Sequence, residues 1–334
     1  TDAVYINSNE HPVGPGPSAL RALAALPPLS GRYGMAFAGK LESLFARQNG
    51  LSADQVQVHP GSFMPLRSVA LTYSSRERPI AYFEPTFDQG FLGLGDKSVT
   101  RSVAVPLAGD FVADPQKLLA AAPNAGVYYL CNPNNPTGLP VARTDIEWLL
   151  ANKPKDSVLL VDEAYIHFSE APSAAKLVAG RKDLIVMRTF SKLFGMAGVR
   201  LGLTFADPEL QKRIMLFGPT AGGLSITAMA CGNAVYPEAA LIKARREEMI
   251  ANREETIAWL TKKGIDVQTG SQANMFMMDW KKPAKEMQTA MLNTPEKVQI
   301  GRNWAIWPTV SRVTVGSAED MAKFRSAVEK VYKA

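Results

Sequence analysis

Val127-Tyr-Tyr-Leu-Cys131-Asn-Pro-Asn-Asn135-Pro-Thr-Gly138 decides the fold. Five apolar or aromatic residues follow one another without alternation, as in a strand covered on both faces. A polar, proline-rich turn then stops the run. The same design recurs downstream. Val158-Leu-Leu-Val161 leads into Asp162-Glu163-Ala164-Tyr165, and Leu184–Arg188 leads into Ser191-Lys192. Ile80–Phe83, Val103–Pro106 and Gly202–Phe205 are further candidate strands. Between them lie helix starts. Asp114-Pro115 and Asp207-Pro208 each set an N-cap before a first-turn proline, and Thr144-Asp-Ile-Glu147 reads as a capping box. The rhythm predicts an α/β fold: an open, mostly parallel sheet with helices on both faces.

After about residue 220 the rhythm changes. A long helical stretch runs from about Glu238 to Lys263 and stops at Gly264. Short strands around Asn274–Met278 and Ser311–Val315 follow, and Ser317-Ala-Glu-Asp320 opens a last helix. This reads as a smaller α+β domain. The chain has 334 residues, 46% hydrophobic and 20% charged, long enough for roughly two domains. The expected division is an N-terminal arm over residues 1–30, rich in proline and packing with the small domain, a large domain over 31–235 and a small domain over 236–334.

Composition excludes several classes. The net charge is +6, but basic and acidic residues interleave, as in Lys243-Ala-Arg245-Arg246-Glu247-Glu248, and no basic run carries aromatics. Nucleic acid is therefore not the expected partner; an anionic substrate or cofactor is. Cys131 and Cys231 stand apart and in no CxxC pattern, and His11, His59 and His167 are scattered, so no metal site is expected. No apolar run reaches the roughly 18 residues of a membrane span. The sequence opens at Thr1 without Met. A cytoplasmic enzyme is expected, in keeping with unpaired cysteines; export to the periplasm is the alternative if a signal peptide was removed.

Four segments carry chemistry. Asn135 follows a strand, at the edge of a parallel sheet where such folds bind ligands; an Asn-Pro stretch is otherwise an ordinary turn. Asp162 ends a buried strand, where a carboxylate is costly unless paired. It reads either as a helix cap or as an anion holding a protonated ring nitrogen. Lys192 lies in an apolar, glycine-containing run, and desolvation lowers an amine's pKa toward a nucleophile's. Gly61-Ser62 precedes a helix, whose N-terminal N–H groups suit phosphate.

Taken in order, Asn-Pro-Thr-Gly, Asp-Glu-Ala-Tyr and Ser-Lys followed by Gly-x-Arg200 resemble the fold type I pyridoxal-phosphate enzymes. Within these the chain is most similar to the class I/II aminotransferases of the histidinol-phosphate aminotransferase group. Asn7-Ser-Asn9-Glu10-His-Pro-Val-Gly-Pro resembles that group's arm. Gly31-Arg-Tyr33 resembles its intersubunit segment. Ser271-Gln-Ala-Asn274-Met-Phe and Ser311-Arg312-Val-Thr-Val-Gly316 resemble its small-domain strands. The resemblance implies pyridoxal 5'-phosphate as cofactor, bound in the large domain, and a ping-pong exchange between an L-amino acid (or a histidinol phosphate-like amine) and a 2-oxo acid. It implies that Lys192 forms the Schiff base and shuttles the Cα proton, that Asp162 pairs with the pyridine N–H, and that Asn135 and Tyr165 bond the ring's 3-oxygen. Arg200, Ser191, Ser62 and Gly61 would hold the phosphate, with Tyr33 reaching it from the second subunit of a homodimer. Phe87 would stack on the ring. Arg312 would take the substrate carboxylate, with Arg302, Asn9 and Asn274 also on the substrate side.

The sequence departs from that group where selectivity is set. His167 stands where an acid is common. Phe63-Met64 follows Gly61-Ser62 where an acid is usual. The run from Gly301 to Ser311 is short and carries Trp304 and Trp307, and Gly218–Leu224 lacks an aromatic. His167 reads as a packed histidine or as a second acid/base group. A racemase, lyase or decarboxylase on the same site is the alternative to a transaminase, since all begin from the same cofactor–substrate adduct.

Overall fold

The computed structural model describes residues 3–29, 31–92, 100–218 and 223–332. A seven-stranded sheet occupies its centre, in the order β2 (Val56–His59), β8 (Gly202–Phe205), β7 (Leu184–Thr189), β6 (Val158–Asp162), β5 (Val127–Cys131), β3 (Ile80–Glu84), β4 (Ser102–Pro106). The pairs from β4 to β7 are parallel, and β8 runs antiparallel to both β7 and β2. The apolar runs thus form strands, and all but one are buried as the sequence indicates; β4, at the sheet edge, buries only Val105. Val58 and Val56, missed because only two apolar residues alternate there, add an edge strand.

Both faces of the sheet are covered. Leu159 and Val161 pack into one core while Val158 and Leu160 pack into the other, the consequence of side chains pointing alternately up and down along a strand. The covering helices include α1 (Pro17–Ala25), α2 (Met35–Asn49), α3 (Phe63–Tyr73), α4 (Pro115–Ala121), α5 (Arg143–Asn152), α6 (Pro208–Met215) and α7 (Ile226–Val235). Asp114 accepts from the amides of Gln116 and Lys117, and Asp207 from that of Glu209, so both proline-marked N-caps form. The capping box at Thr144 does not. The helix starts at Arg143 with Ala142 as its cap, and Glu147 is engaged instead by Arg143 Nε at 2.7 Å.

The chain then enters α8 (Ala239–Lys262), closed by Gly264 at φ +77°. A three-stranded antiparallel sheet follows, ordered β12 (Val310–Thr314), β10 (Met275–Asp279), β9 (Asp266–Val267). It is flanked by α9 (Ala284–Leu292) and α10 (Ala318–Tyr332). Ser317 and Asp320 cap α10 reciprocally: Asp320 N donates to Ser317 Oγ, and Ser317 N to Asp320 Oδ2. The first residues are not featureless. β1 (Val4–Ile6) pairs in parallel with β11 (Val298–Ile300), and α1 lies along α7. Among the described residues no helix is long and apolar enough to cross a membrane.

Candidate active site

β5, β6 and β7 end together. Cys131 is the register partner of Asp162, and Asp162 of Met187. Parallel strands expose their carboxyl ends on one side, and the loops that follow them form the floor of a cavity of about 370 Å³. Asp162, the last residue of β6, lies at the bottom. Its Oδ2 accepts from Tyr129 Oη at 3.1 Å and its Oδ1 from Ala164 N at 3.0 Å. Burial raises its pKa to about 6, against the opposing pull of these two donors and of the Lys192 ammonium. Tyr129 was not legible as a site residue, because it reads as one more apolar position of β5.

Lys192 follows β7 and is half-buried, with its open side toward the cavity. Its Nζ donates to Ser8 O at 3.2 Å and lies 5.7 Å from the centre of the Tyr165 ring. Desolvation, then the charge of Arg312, lowers its pKa to about 8, while Glu10 and Asp162 pull the other way. An amine with that pKa is partly neutral near neutral pH and can act as nucleophile or base.

An anion cup lies beside it. Ser62 is the N-cap of α3, and Gly61 before it adopts φ +81°. A Cβ on Gly61 would come within 2.3 Å of Arg200 Nη2, so glycine is what lets the guanidinium lie over the backbone. Arg200 Nη1 donates to Ala197 O at 2.7 Å and reaches Ser191 Oγ at 3.5 Å. Thr189, another residue sequence reasoning passed over, receives the amide of Ser191 and donates to its hydroxyl. Backbone N–H groups, two hydroxyls and a guanidinium suit a phosphate.

Opposite the cup stands Arg312 on β12. It is buried, and burial lowers its pKa to about 10. Its Nη1 donates to Asn135 Oδ1 at 2.8 Å, its Nη2 to Asn7 O, and its Nε has no partner among the described residues. Asn135 keeps its amide N–H groups for another acceptor. Asn9, at φ +53°, donates from Nδ2 to Tyr165 Oη at 2.9 Å. Phe87 and Arg302 also line the cavity, as do Phe63 and Glu10.

The cavity therefore gathers Lys192, Asp162, Tyr165, Ser62, Phe87, Asn135, Ser191, Arg200, Arg312, Arg302 and Asn9, with Gly61 beneath Arg200. It does not gather Asn274, which is fully buried and finds no hydrogen-bond partner among the described residues for either side-chain polar atom. Tyr33 is 83% exposed on the surface of the chain. His167 does not line the cavity. Its ring packs against Phe194 and Tyr236, and burial lowers its pKa to about 3. This overturns the acid/base reading and leaves a packed, neutral histidine. The departing segment Gly218–Leu224 lies mostly outside the described residues. Among the described residues no three His, Cys, Asp or Glu side chains converge to hold a metal ion.

The chain that builds this cavity has counterparts among known proteins. The family model for aminotransferase class I and II matches residues 18–331. The histidinol-phosphate aminotransferase of Symbiobacterium thermophilum is 31% identical over 98% of this chain and 90% of its own. That of Halalkalibacterium halodurans is 28% identical over 95% and 85%. The crystal structure of the Sinorhizobium meliloti histidinol-phosphate aminotransferase in complex with pyridoxal-5'-phosphate superposes with a TM-score of 0.89, at 24% identity, covering 99% of this chain and 91% of that one.

Proposed function

Because the chain belongs to the class I and II aminotransferases and is a pyridoxal-phosphate enzyme of fold type I close to the histidinol-phosphate group, we propose the roles and substrates that follow. The residues present fit the cofactor. The Gly61–Arg200 cradle would be filled by any Cβ, and Asp162 is a buried carboxylate with no cationic group among the described residues in hydrogen-bond contact. Ser62, Ser191, Arg200 and the Gly61 backbone hold the phosphate. Asp162 would hold the ring nitrogen protonated, Asn135 and Tyr165 would bond the ring oxygen, and Phe87 would lie against the ring. When bound, the cofactor carries the amino group and takes up the electrons left on the substrate's Cα.

The chain's own residues do the rest. Lys192 is the amine that engages the cofactor and the base that takes and returns the Cα proton. Arg312 binds the α-carboxylate as a fork, with Asn9 beside it, and Arg302 takes a second anionic group farther along the substrate. The buried Arg312 facing Lys192, with Arg302 also on the cavity, is the observation that carries the substrate reading: an L-amino acid, or a histidinol phosphate-like amine, exchanging with a 2-oxo acid.

Tyr33, exposed in one chain, reaches the phosphate of a second copy in a homodimer, and the two buried free cysteines fit a cytoplasmic setting. The division proposed is the arm (residues 1–30), the cofactor domain (31–235) and the small domain (236–334).

The test is the visible spectrum of the loaded protein after addition of L-glutamate, L-alanine or histidinol phosphate. Conversion to the aminated cofactor with L-glutamate or histidinol phosphate supports the reading. No conversion, with Cα hydrogen exchanging into deuterated water, would sink it in favour of a racemase or lyase. For the dimer, mixing inactive Tyr33→Ala and Lys192→Ala chains should restore activity at one site of the hybrid; no recovery in a demonstrated hybrid sinks the shared site.

A further inference from the structure

The loop between β4 and α4 carries Phe111 at φ +65°. Its turn is closed by Phe111 N donating to Ala108 O at 2.8 Å and Ala108 N to Val112 O at 3.3 Å. Glycine or asparagine takes that conformation readily, whereas a phenylalanine is strained there. A strained residue persists where its surroundings hold it and points toward a role. The Phe111 ring stands edge-on to Trp307, with centroids 4.7 Å apart at 89°. Trp307 closes a tight turn with Trp304, where Trp307 N donates to Trp304 O at 3.0 Å and the two rings lie 6.4 Å apart. These are the tryptophans of the short aromatic run between Gly301 and Ser311.

That turn begins two residues after Arg302. On the other side, Gly301 is fixed by its N–H to Arg312 O at 3.0 Å and by Gln288 Nε2 donating to its carbonyl. Arg302 thus hangs between a pinned glycine and a turn whose far end is anchored by Val310 N donating to Trp307 O at 3.2 Å and whose outer ring meets Phe111 from across the molecule. Its guanidinium lines the cavity, and its charge acts on the carboxyl of Asp88, which burial raises and Arg302 lowers.

We propose that Phe111 is a positioning residue for substrate selectivity: docked on Trp307, it holds the Trp304–Trp307 turn and so sets how far Arg302 reaches toward the distal anion of the substrate. The inference rests on Arg302 receiving that anion, whether carboxylate or phosphate.

Phe111→Gly is the direct test, because glycine accepts the positive φ and removes only the ring. Calorimetry on the cofactor-loaded protein would give the Kd of butyrate, of glutarate and of 4-phosphonobutyrate. Phe111→Gly is expected to weaken glutarate, the phosphonate or both by roughly tenfold and to leave butyrate unchanged. Loss for glutarate alone assigns a carboxylate, and loss for the phosphonate alone a phosphate. Phe111→Tyr, which keeps the ring, should bind all three as the parent does. Arg302→Gln should reproduce the loss, and the double variant should add nothing to it. Equal weakening of all three ligands by Phe111→Gly, or no weakening while Arg302→Gln weakens the dianions, overturns the inference alone. An Arg302→Gln variant that binds both dianions normally overturns the substrate reading beneath it as well.

Discussion

Asn9 and Tyr165 are 156 residues apart in sequence, and the amide of one donates to the phenolic oxygen of the other at 2.9 Å. The tyrosine oxygen is thereby occupied as an acceptor, and its own proton is free to point into the cavity. Replacing Asn9 with glycine tolerates φ +53° and removes only the amide. Asn9→Gly should lower kcat/KM by roughly tenfold. Tyr165→Phe should lower it at least as much, and the double variant should match Tyr165→Phe. Additive losses would show that Asn9 acts elsewhere.

Lys192 should reveal itself by its titration. In the cofactor-free protein, borohydride trapping of added pyridoxal phosphate at Lys192, read by peptide mass, should rise with pH through about pH 8 and then level off. Surface lysines should rise only about two units higher, near their ordinary value. Lys192→Ala should reduce turnover by at least about 10³-fold.

Asp162 makes the opposite kind of statement, about stability. Its folded pKa, about 6, lies above the ordinary carboxyl value of 3.8. Its contribution is thus fully present below about pH 4 and is lost as pH rises through 6. Asp162→Asn should stabilise the cofactor-free protein at pH 8 by about 1–3 kcal/mol and flatten its pH dependence between 4 and 7, while abolishing transamination. Thermal melts at pH 4, 6 and 8 read both effects; a variant less stable at pH 8 contradicts the argument.

Gly61→Ala forces a side chain into φ +81° and drives Arg200 aside. The variant should lose about 1 kcal/mol of stability or more and bind the cofactor roughly tenfold more weakly. Arg200→Ala should weaken the cofactor at least as much. Equilibrium dialysis separates the two quantities from unfolding in urea.

The sheet was legible because its strands are continuous apolar runs, and covering both faces demands that composition. Asn135, Asp162 and Lys192 were legible as candidate site residues because each lies at or just past the carboxyl end of such a run. Val56–His59 was not, being too short an alternation. Nor was the helix Pro17–Ala25, hidden among prolines that read as an arm, although Pro17 occupies its first turn. The capping box at Thr144 failed because the helix begins one residue earlier, at Arg143, which puts Thr144 inside its first turn. Tyr129 under Asp162, Thr189 under Ser191 and the Phe111–Trp307 contact depend on which strands and loops become neighbours, and local pattern does not encode that.

The pairing of Val4–Ile6 with Val298–Ile300 has a consequence in time. The segment just after Ile6 supplies Ser8 to Lys192 and Asn9 to Tyr165. On the ribosome that segment is made nearly three hundred residues before its partner strand. The seven-stranded sheet, complete by Phe205, can assemble during synthesis, whereas the lining of the cavity waits for an end-to-end contact of very long loop closure. A nascent chain halted before Val298 would hold the sheet and the lysine loop without the strand that anchors the arm, so competence waits until Val298–Ile300 has been made.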